Sequence, residues 1–142
     1  FMKKESIMNR KHFYIIAGIF ILALAGCSIK KEDTKKIQDI EFTVVAPEDV
    51  PEELKEDIEK ARDTPFRLTY ADQGYLYMAR GYGEKEKTGY SVEVNACYET
   101  SDAIRIQTTL LGPAKGEKIK EKKTYPYVVM KTEYREKDVI FE

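Results

Sequence analysis

Apolar and polar residues alternate along most of the second half of the chain. Between residues 90 and 98 every second residue is apolar or aromatic, and the same alternation returns between residues 103 and 110. A period of two is what a half-buried β-strand produces. The pattern therefore predicts antiparallel strands with Val92, Val94 and Ile106 on the buried face, and it places Cys97 on the opposite face with Glu93.

Five further segments have the composition of strands. The run 126–130 is continuously apolar after its proline, which is typical of an interior strand. Gln73 and Gly74 lie between two strand-like segments and predict a hairpin turn within residues 71–74. The segments are 40–45, 66–70, 75–80, 126–130 and 139–141.

Residues 47–63 show helical rather than strand periodicity. Leu54, Ile58 and Ala61 follow one another at the spacing of a single helix face, with Asp49 as a candidate N-cap and Pro51 in the first turn. The expected fold class is therefore α+β: an antiparallel β-sheet, sandwich or barrel-like, of about seven strands, with one N-terminal helix.

A short apolar run near the start of the chain predicts export. Residues 13–26 are too few to span a bilayer, which needs ~20 apolar residues, and basic residues precede them. Leu24-Ala25-Gly26-Cys27 resembles the lipobox of bacterial lipoproteins, which implies that Cys27 is diacylated after cleavage before it. We expect a signal peptide at 1–26, a flexible tether at 27–39 and a domain at 40–142, anchored to the outer face of a bacterial membrane through diacylglyceryl-cysteine.

Charge and composition narrow the classes of function. Residues 1–26 contain four of the 24 basic residues and one of the 25 acidic residues, so the chain from Cys27 onward has a net charge of about −4. A nucleic-acid-binding domain would have a basic excess instead. We expect no nucleic-acid partner.

The residue types that usually carry out catalysis are scarce. His12 is the only histidine, and it lies in the predicted signal peptide. Cys97 has no histidine to activate its thiol, so we interpret it as a structural strand residue. No group of residues has the spacing of a metal site. The sequence predicts neither catalysis nor a cofactor or metal.

Two motifs resemble a known family. The segment YLYMARGYGEKEKTGYSVEV at 75–94 and the segment TYPYVVMK at 124–131 resemble the C-terminal domain of the PrcB family, over about residues 64–142. Gly83-Glu84-Lys85 and Gly89-Tyr90-Ser91 match the turn of the family, whereas Glu86, Lys87 and Thr88 replace its usual Pro, Thr and Gly. The family name comes from a lipoprotein subunit of a surface protease complex, so the resemblance implies a non-catalytic surface protein that accompanies a protease.

The glycine-rich turn at 81–90 is the candidate binding loop. Glycines allow positive φ, tyrosines offer contact area, and charged residues keep the tip in water. We expect Tyr82 to be the most exposed of the tyrosines around it and Tyr90 to be structural. The candidate protein-binding residues are Tyr82, Lys85, Lys87, Thr88 and Gly89.

Two alternatives to this interpretation stay open. The lysine-rich segment 112–124, with five lysines, is either a second contact patch or a solvated loop. The turn KTGY with the later YPY is also similar to the T-T-G-Y and R-P-W loops of chagasin-type cysteine-protease inhibitors. The first function is a lipid-anchored binding module, such as an accessory or stabilising subunit of a surface protease complex, and the alternative is a protease inhibitor acting through loops.

Overall fold

The computed structural model describes residues 35–142, so the predicted signal peptide and Cys27 lie outside the described residues. One α-helix, one 3-10 turn and eight strands make up this part of the chain. The elements are β1 (Gln38–Asp39), β2 (Thr43–Val44), the 3-10 turn (Pro47–Asp49), α1 (Glu52–Ala61), β3 (Pro65–Asp72), β4 (Tyr75–Tyr82), β5 (Ser91–Glu99), β6 (Ala103–Leu111), β7 (Tyr127–Glu133) and β8 (Asp138–Phe141).

The strands form two four-stranded sheets. Sheet A has the order β1-β5-β6-β8 and sheet B has the order β2-β7-β4-β3. All pairs are antiparallel except β6 with β8, which run parallel because the chain crosses to sheet B as β7 between them. The structure confirms the α+β prediction and its sandwich alternative, and β7 is an interior strand as predicted.

The larger core lies between the two sheets. Met78 and Met130 of sheet B and Ile104 and Ile106 of sheet A are fully buried there. Val92 and Val94 pack against the same cluster and are partly buried. The predicted apolar phase of β5 and β6 is therefore confirmed at Val92, Val94 and Ile106.

A second core lies between α1 and the outer face of sheet B. Leu54 and Ile58 of the helix are buried against Phe66, Ala79 and Val129. Strand residues of sheet B alternate between the two cores, since successive side chains of a strand point to opposite faces. Sheet B is consequently the middle layer of three, and this explains the continuous apolar run of β7.

The N-terminal part of the domain differs from the expectation in two ways. Of the single strand predicted at 40–45, only Thr43–Val44 is a strand, β2 of sheet B; Ile40 turns inward into the core, and β1 of sheet A lies before it at Gln38–Asp39. Pairing also begins earlier than residue 40: Ile37 N–H donates to Glu99 O at 2.7 Å, and β1 pairs with β5. The domain boundary predicted at residue 40 therefore lies closer to the N-terminus.

The helix begins later than predicted. Residues 47–49 form a 3-10 turn, and α1 starts at Glu52 with Pro51 as its N-cap. Asp49 is thus not the N-cap, and no side chain makes a capping hydrogen bond. Proline fixes φ near the value that a helix start needs, and Glu52 and Glu53 favour the positive end of the helix dipole.

A β-bulge corrects the predicted position of Cys97. The register of β5 against β6 shifts between Val94 and Ala96, so the strand gains one residue there. An extra residue inverts the alternation beyond it. Cys97 therefore points into the core with Val92 and Val94, rather than to the face of Glu93.

The loops gather at two opposite ends of the sandwich. The loop end carries residues 83–90 between β4 and β5, and residues 112–126 between β6 and β7. The turn end carries the short connections 73–74, 100–102 and 134–137. Gln73 and Gly74 have φ of 49° and 84°, which confirms the predicted hairpin turn.

Candidate functional site

The two loops at the loop end are hydrogen-bonded to each other along their backbones. Lys85 N–H donates to Thr124 O at 2.8 Å, and Thr124 N–H donates to Lys85 O at 2.9 Å. Thr88 N–H donates to Lys120 O at 3.0 Å. Residues 83–90 and 112–126 thus form one unit, called here the loop pair.

Two threonine side chains complete this backbone pairing. The hydroxyl of Thr88 accepts a hydrogen bond from Lys120 N–H at 2.9 Å. The hydroxyl of Thr124 donates to Lys87 O at 2.8 Å. Thr88, a predicted binding residue, therefore holds the two loops together, and its side-chain oxygen is already occupied.

Gly89 lets the loops approach closely. Its φ is +101°, and a Cβ at this position would lie 2.8 Å from Pro113 Cγ. Any other residue would both strain the backbone and collide with Pro113. Gly89, also a predicted binding residue, thus shapes the loop pair and offers no side chain to a partner.

Tyr82 lies at the end of β4, next to the loop pair, and its side chain is held by contacts with the sheets. Its hydroxyl is hydrogen-bonded to Thr108 Oγ1 at 2.5 Å, and the Arg80 guanidinium lies 4.1 Å from its ring centroid. Tyr82 is half-buried, whereas Tyr75 at the turn end of β4 is 41% exposed. The prediction that Tyr82 is the most exposed tyrosine around the turn is therefore wrong.

An ionic cluster joins the loop pair to the end of α1. Lys123 Nζ lies 3.3 Å from Glu84 Oε2, and this carboxylate raises the pKa of Lys123 through a hydrogen bond and its charge. Tyr125 donates its hydroxyl to Glu84 at 3.4 Å, and Arg62 stacks 4.0 Å above the Tyr125 ring. Glu84 N–H also donates to Asp63 O at 3.1 Å. The loop pair is thereby fixed to the scaffold on this side.

The surface of the loop pair is basic. It contains seven lysines and four glutamates, while residues 47–63 around α1 contain eight acidic and three basic residues. Lys85 and Lys87 are half-buried at its base, and the lysines of the second loop are exposed. Ile119 lies among them with 39% of its surface exposed. The loop pair therefore presents a lysine-rich surface with one partly exposed apolar side chain. The exposed lysines are Lys115, Lys118, Lys120, Lys122 and Lys123.

Sequence reasoning treated the two loops as alternatives and missed their pairing. Pro113, Lys120 and Thr124 are required to build the site, yet they lie some 30 residues from the candidate turn. The YPY motif that follows Thr124 was the available signal, because it fixes where the second loop must return to sheet B.

Reactive groups are not gathered at this site. Cys97 lies in the core, where burial raises the pKa of its thiol to about 11, so the reactive thiolate is disfavoured. Within residues 35–142, no three His, Cys, Asp or Glu side chains are grouped as metal ligands would be. The same part of the chain contains no helix with the length and hydrophobicity to cross a membrane.

The fold and the site together define a β-sandwich with one helical layer and a preformed, basic loop surface. Residues 76–133 match the family described as PrcB C-terminal. This match confirms the resemblance seen in the sequence and places a PrcB C-terminal region within the chain; it contains both loops of the loop pair and is shorter than the expected 64–142. No curated protein and no solved structure matches the chain.

Proposed function

We propose that the chain is a non-catalytic protein-binding module that acts through the loop pair, as an accessory or stabilising subunit of a surface protease complex. The observation that carries the proposal is the hydrogen-bonded pairing of residues 83–90 with residues 112–126. Loops that are ordered before binding lose little entropy when a partner docks. The match to the PrcB C-terminal family supports the association with a protease.

The position at which the chain enters the domain supports this assignment. Ile37 and β1 pair with Glu99 and Tyr98, at the turn end of β5, whereas the loop pair follows the opposite ends of the strands. A membrane anchor ahead of residue 37 would leave the loop pair at the far end of the domain. An anchor attached there would leave the loop pair free to contact a partner.

We further propose that this anchor is a lipidated Cys27 on the outer face of a bacterial membrane. Residues 28–36 would then connect the lipid to β1, with a reach of at most ~30 Å at ~3.5 Å per residue. Two acyl chains suffice for stable anchoring. In a bacterium that processes lipoproteins, the chain is expected in the detergent phase and Cys27→Ala in the aqueous phase. A diacyl mass shift that persists in Cys27→Ala would contradict the assignment.

The candidate lysines give the next prediction. Replacing Lys85 and Lys87 together by alanine is expected to leave the melting temperature nearly unchanged, because their backbone groups make the loop contacts. The same change should weaken capture of the surface partner several-fold. Capture is measured by quantitative mass spectrometry after affinity purification of the full chain from membrane extracts.

Two further variants control this measurement. Lys55→Ala with Lys60→Ala removes the same charge from α1, outside residues 83–90 and 112–126, and should capture normally. Adding Tyr82→Ala to the Lys85 and Lys87 changes should lower the melting temperature as well, since its hydroxyl and ring are engaged. Undiminished capture by the lysine variant would move the binding surface to Lys115–Lys123.

The activity of the captured partner also distinguishes an accessory subunit from a protease inhibitor. If the partner is a protease, its activity towards a peptide substrate should be retained in the purified complex. An inhibitor acting through loops would abolish that activity. Loss of activity on binding would therefore replace the accessory role by the inhibitory one.

A further inference from the structure

Strand β3 leaves one long edge of the sandwich unpaired. The other outer strands are short, with two residues in β1, two in β2 and four in β8, while β3 has eight. In the part of the chain that the structure describes, β3 pairs only with β4, over its whole length and without a bulge. Natural sheets usually shield such edges by shortening, twisting or charging them, or with proline; β3 has Pro65 and Arg67 at its start, whereas Thr69 and Ala71 are uncharged.

The register shows which backbone groups the β3 edge offers. Asp72 and Tyr75 flank a two-residue turn, so they form a hydrogen-bonded pair and the pairs of β3 with β4 alternate from there. Arg67, Thr69 and Ala71 therefore direct their N–H and C=O groups outward. Their side chains share one face, and all three are exposed.

Positive charge at one end of this edge has no carboxylate partner in residues 35–142. Arg67 and Arg80 lie directly opposite each other on β3 and β4, and neither makes an ion pair there. Arg80 is 9% exposed, and its Nε is buried without an acceptor. Like charges directly opposite each other destabilise a sheet. A carboxylate placed beside Arg67 would relieve this repulsion.

The other end of the edge borders a groove whose wall contains both apolar and charged residues, among them Lys137 and Asp138. The groove has a volume of about 350 Å³ and lies between β3 and β8, with Ala71, Tyr134 and Val139 in its wall. Tyr134 is 50% exposed. A strand added beside β3 would place its residues opposite Arg67 and Ala71 on this same face, four positions apart.

We propose that the β3 edge binds an extended acidic segment of a partner protein by strand addition. The segment runs antiparallel to β3, with an apolar residue over the groove at Ala71 and a carboxylate four residues later at Arg67. Main-chain hydrogen bonds to Arg67, Thr69 and Ala71 supply affinity, and the two side chains supply specificity. This site is separate from the loop pair, so its test does not depend on the proposed function.

A pair of synthetic peptides tests the proposal on the full chain. The first is capped Thr-Ile-Thr-Thr-Thr-Glu-Thr, and the second has Lys in place of Glu. Titration followed by NMR should shift the amides of residues 66–72 with the first peptide, and the second should bind roughly tenfold more weakly. Arg67→Glu should reverse this preference.

Proline variants test whether the peptide binds at the β3 edge. Thr69→Pro removes an outward N–H and should abolish binding of the acidic peptide while the fold persists. Val44→Pro is the matched change at the opposite edge of sheet B and should bind the peptide normally. Equal binding of both peptides, or unchanged binding by Thr69→Pro, would overturn the proposal. If the chain dimerises and Thr69→Pro abolishes the dimer, the proposal would also be overturned, since a second copy of the chain would then occupy the β3 edge.

Discussion

Replacing Ile106 by aspartate is expected to unfold the domain. Ile106 has no exposed surface and lies between the two sheets, beside Met78 and Met130. An unpaired charge at such a position costs several kcal/mol, comparable with the ~5–15 kcal/mol that stabilises a whole domain. Circular dichroism should show loss of the β-sheet signal or a melting temperature near ambient.

Two variants of β5 test whether the loss of stability depends on burial. Val94→Asp should destabilise the domain by less than Ile106→Asp, because Val94 is only partly buried in the same core. Glu93→Ala should be nearly silent, since Glu93 is exposed on the opposite face. Equal tolerance of the Val94 and Glu93 changes would show that the assigned face of β5 is wrong.

The second large effect is expected from Gly89→Ala, which should disrupt the pairing of the two loops. Strained backbone at φ of +101° costs about 1–3 kcal/mol, and the collision of Cβ with Pro113 adds an overpacking cost of about 1–3 kcal/mol. For a domain of this size, each kcal/mol lowers the melting temperature by roughly 4–8 °C. Differential scanning calorimetry should show the loss, and limited proteolysis should cut within residues 112–126.

Gly74→Ala separates the cost of backbone strain from the cost of the collision. Its φ is +84°, but a Cβ there would have no atom within 4 Å. This variant should therefore lose only the backbone part of the stability and keep the loop pair resistant to protease. A Gly89→Ala protein as stable as Gly74→Ala would mean that contact between Gly89 and Pro113 does not hold the loops together.

Local patterns were enough to predict most of the strands. Alternation in 103–110 identified the buried face of β6, and the Gln73-Gly74 pair identified the hairpin of β3 with β4. Both signals depend on neighbouring residues alone. The continuous apolar run of β7 likewise reported burial on two faces, although only the structure shows that α1 covers the second.

The features that sequence reasoning missed depend on partners distant in the chain. The bulge near Asn95 is a property of the pairing between β5 and β6, so no local period could place Cys97 in the core. Only Thr43 and Val44 of the segment 40–45 form a strand, because residues 38–39 pair with the other sheet and the chain crosses between the two sheets after them. In the same way, Thr88 meets Lys120 and Gly89 meets Pro113 only after the sandwich has closed.

Site-specific photo-crosslinking tests the central claim, that the loop pair binds the partner. A photoreactive amino acid replaces Lys87 or Lys118 in the loop pair, or Gln73 or Asp102 at the turn end, in the full chain on the cell surface. We predict that one partner protein is crosslinked from both loop positions and from neither turn position. Crosslinks to that partner from residues 73 and 102 alone would contradict the account.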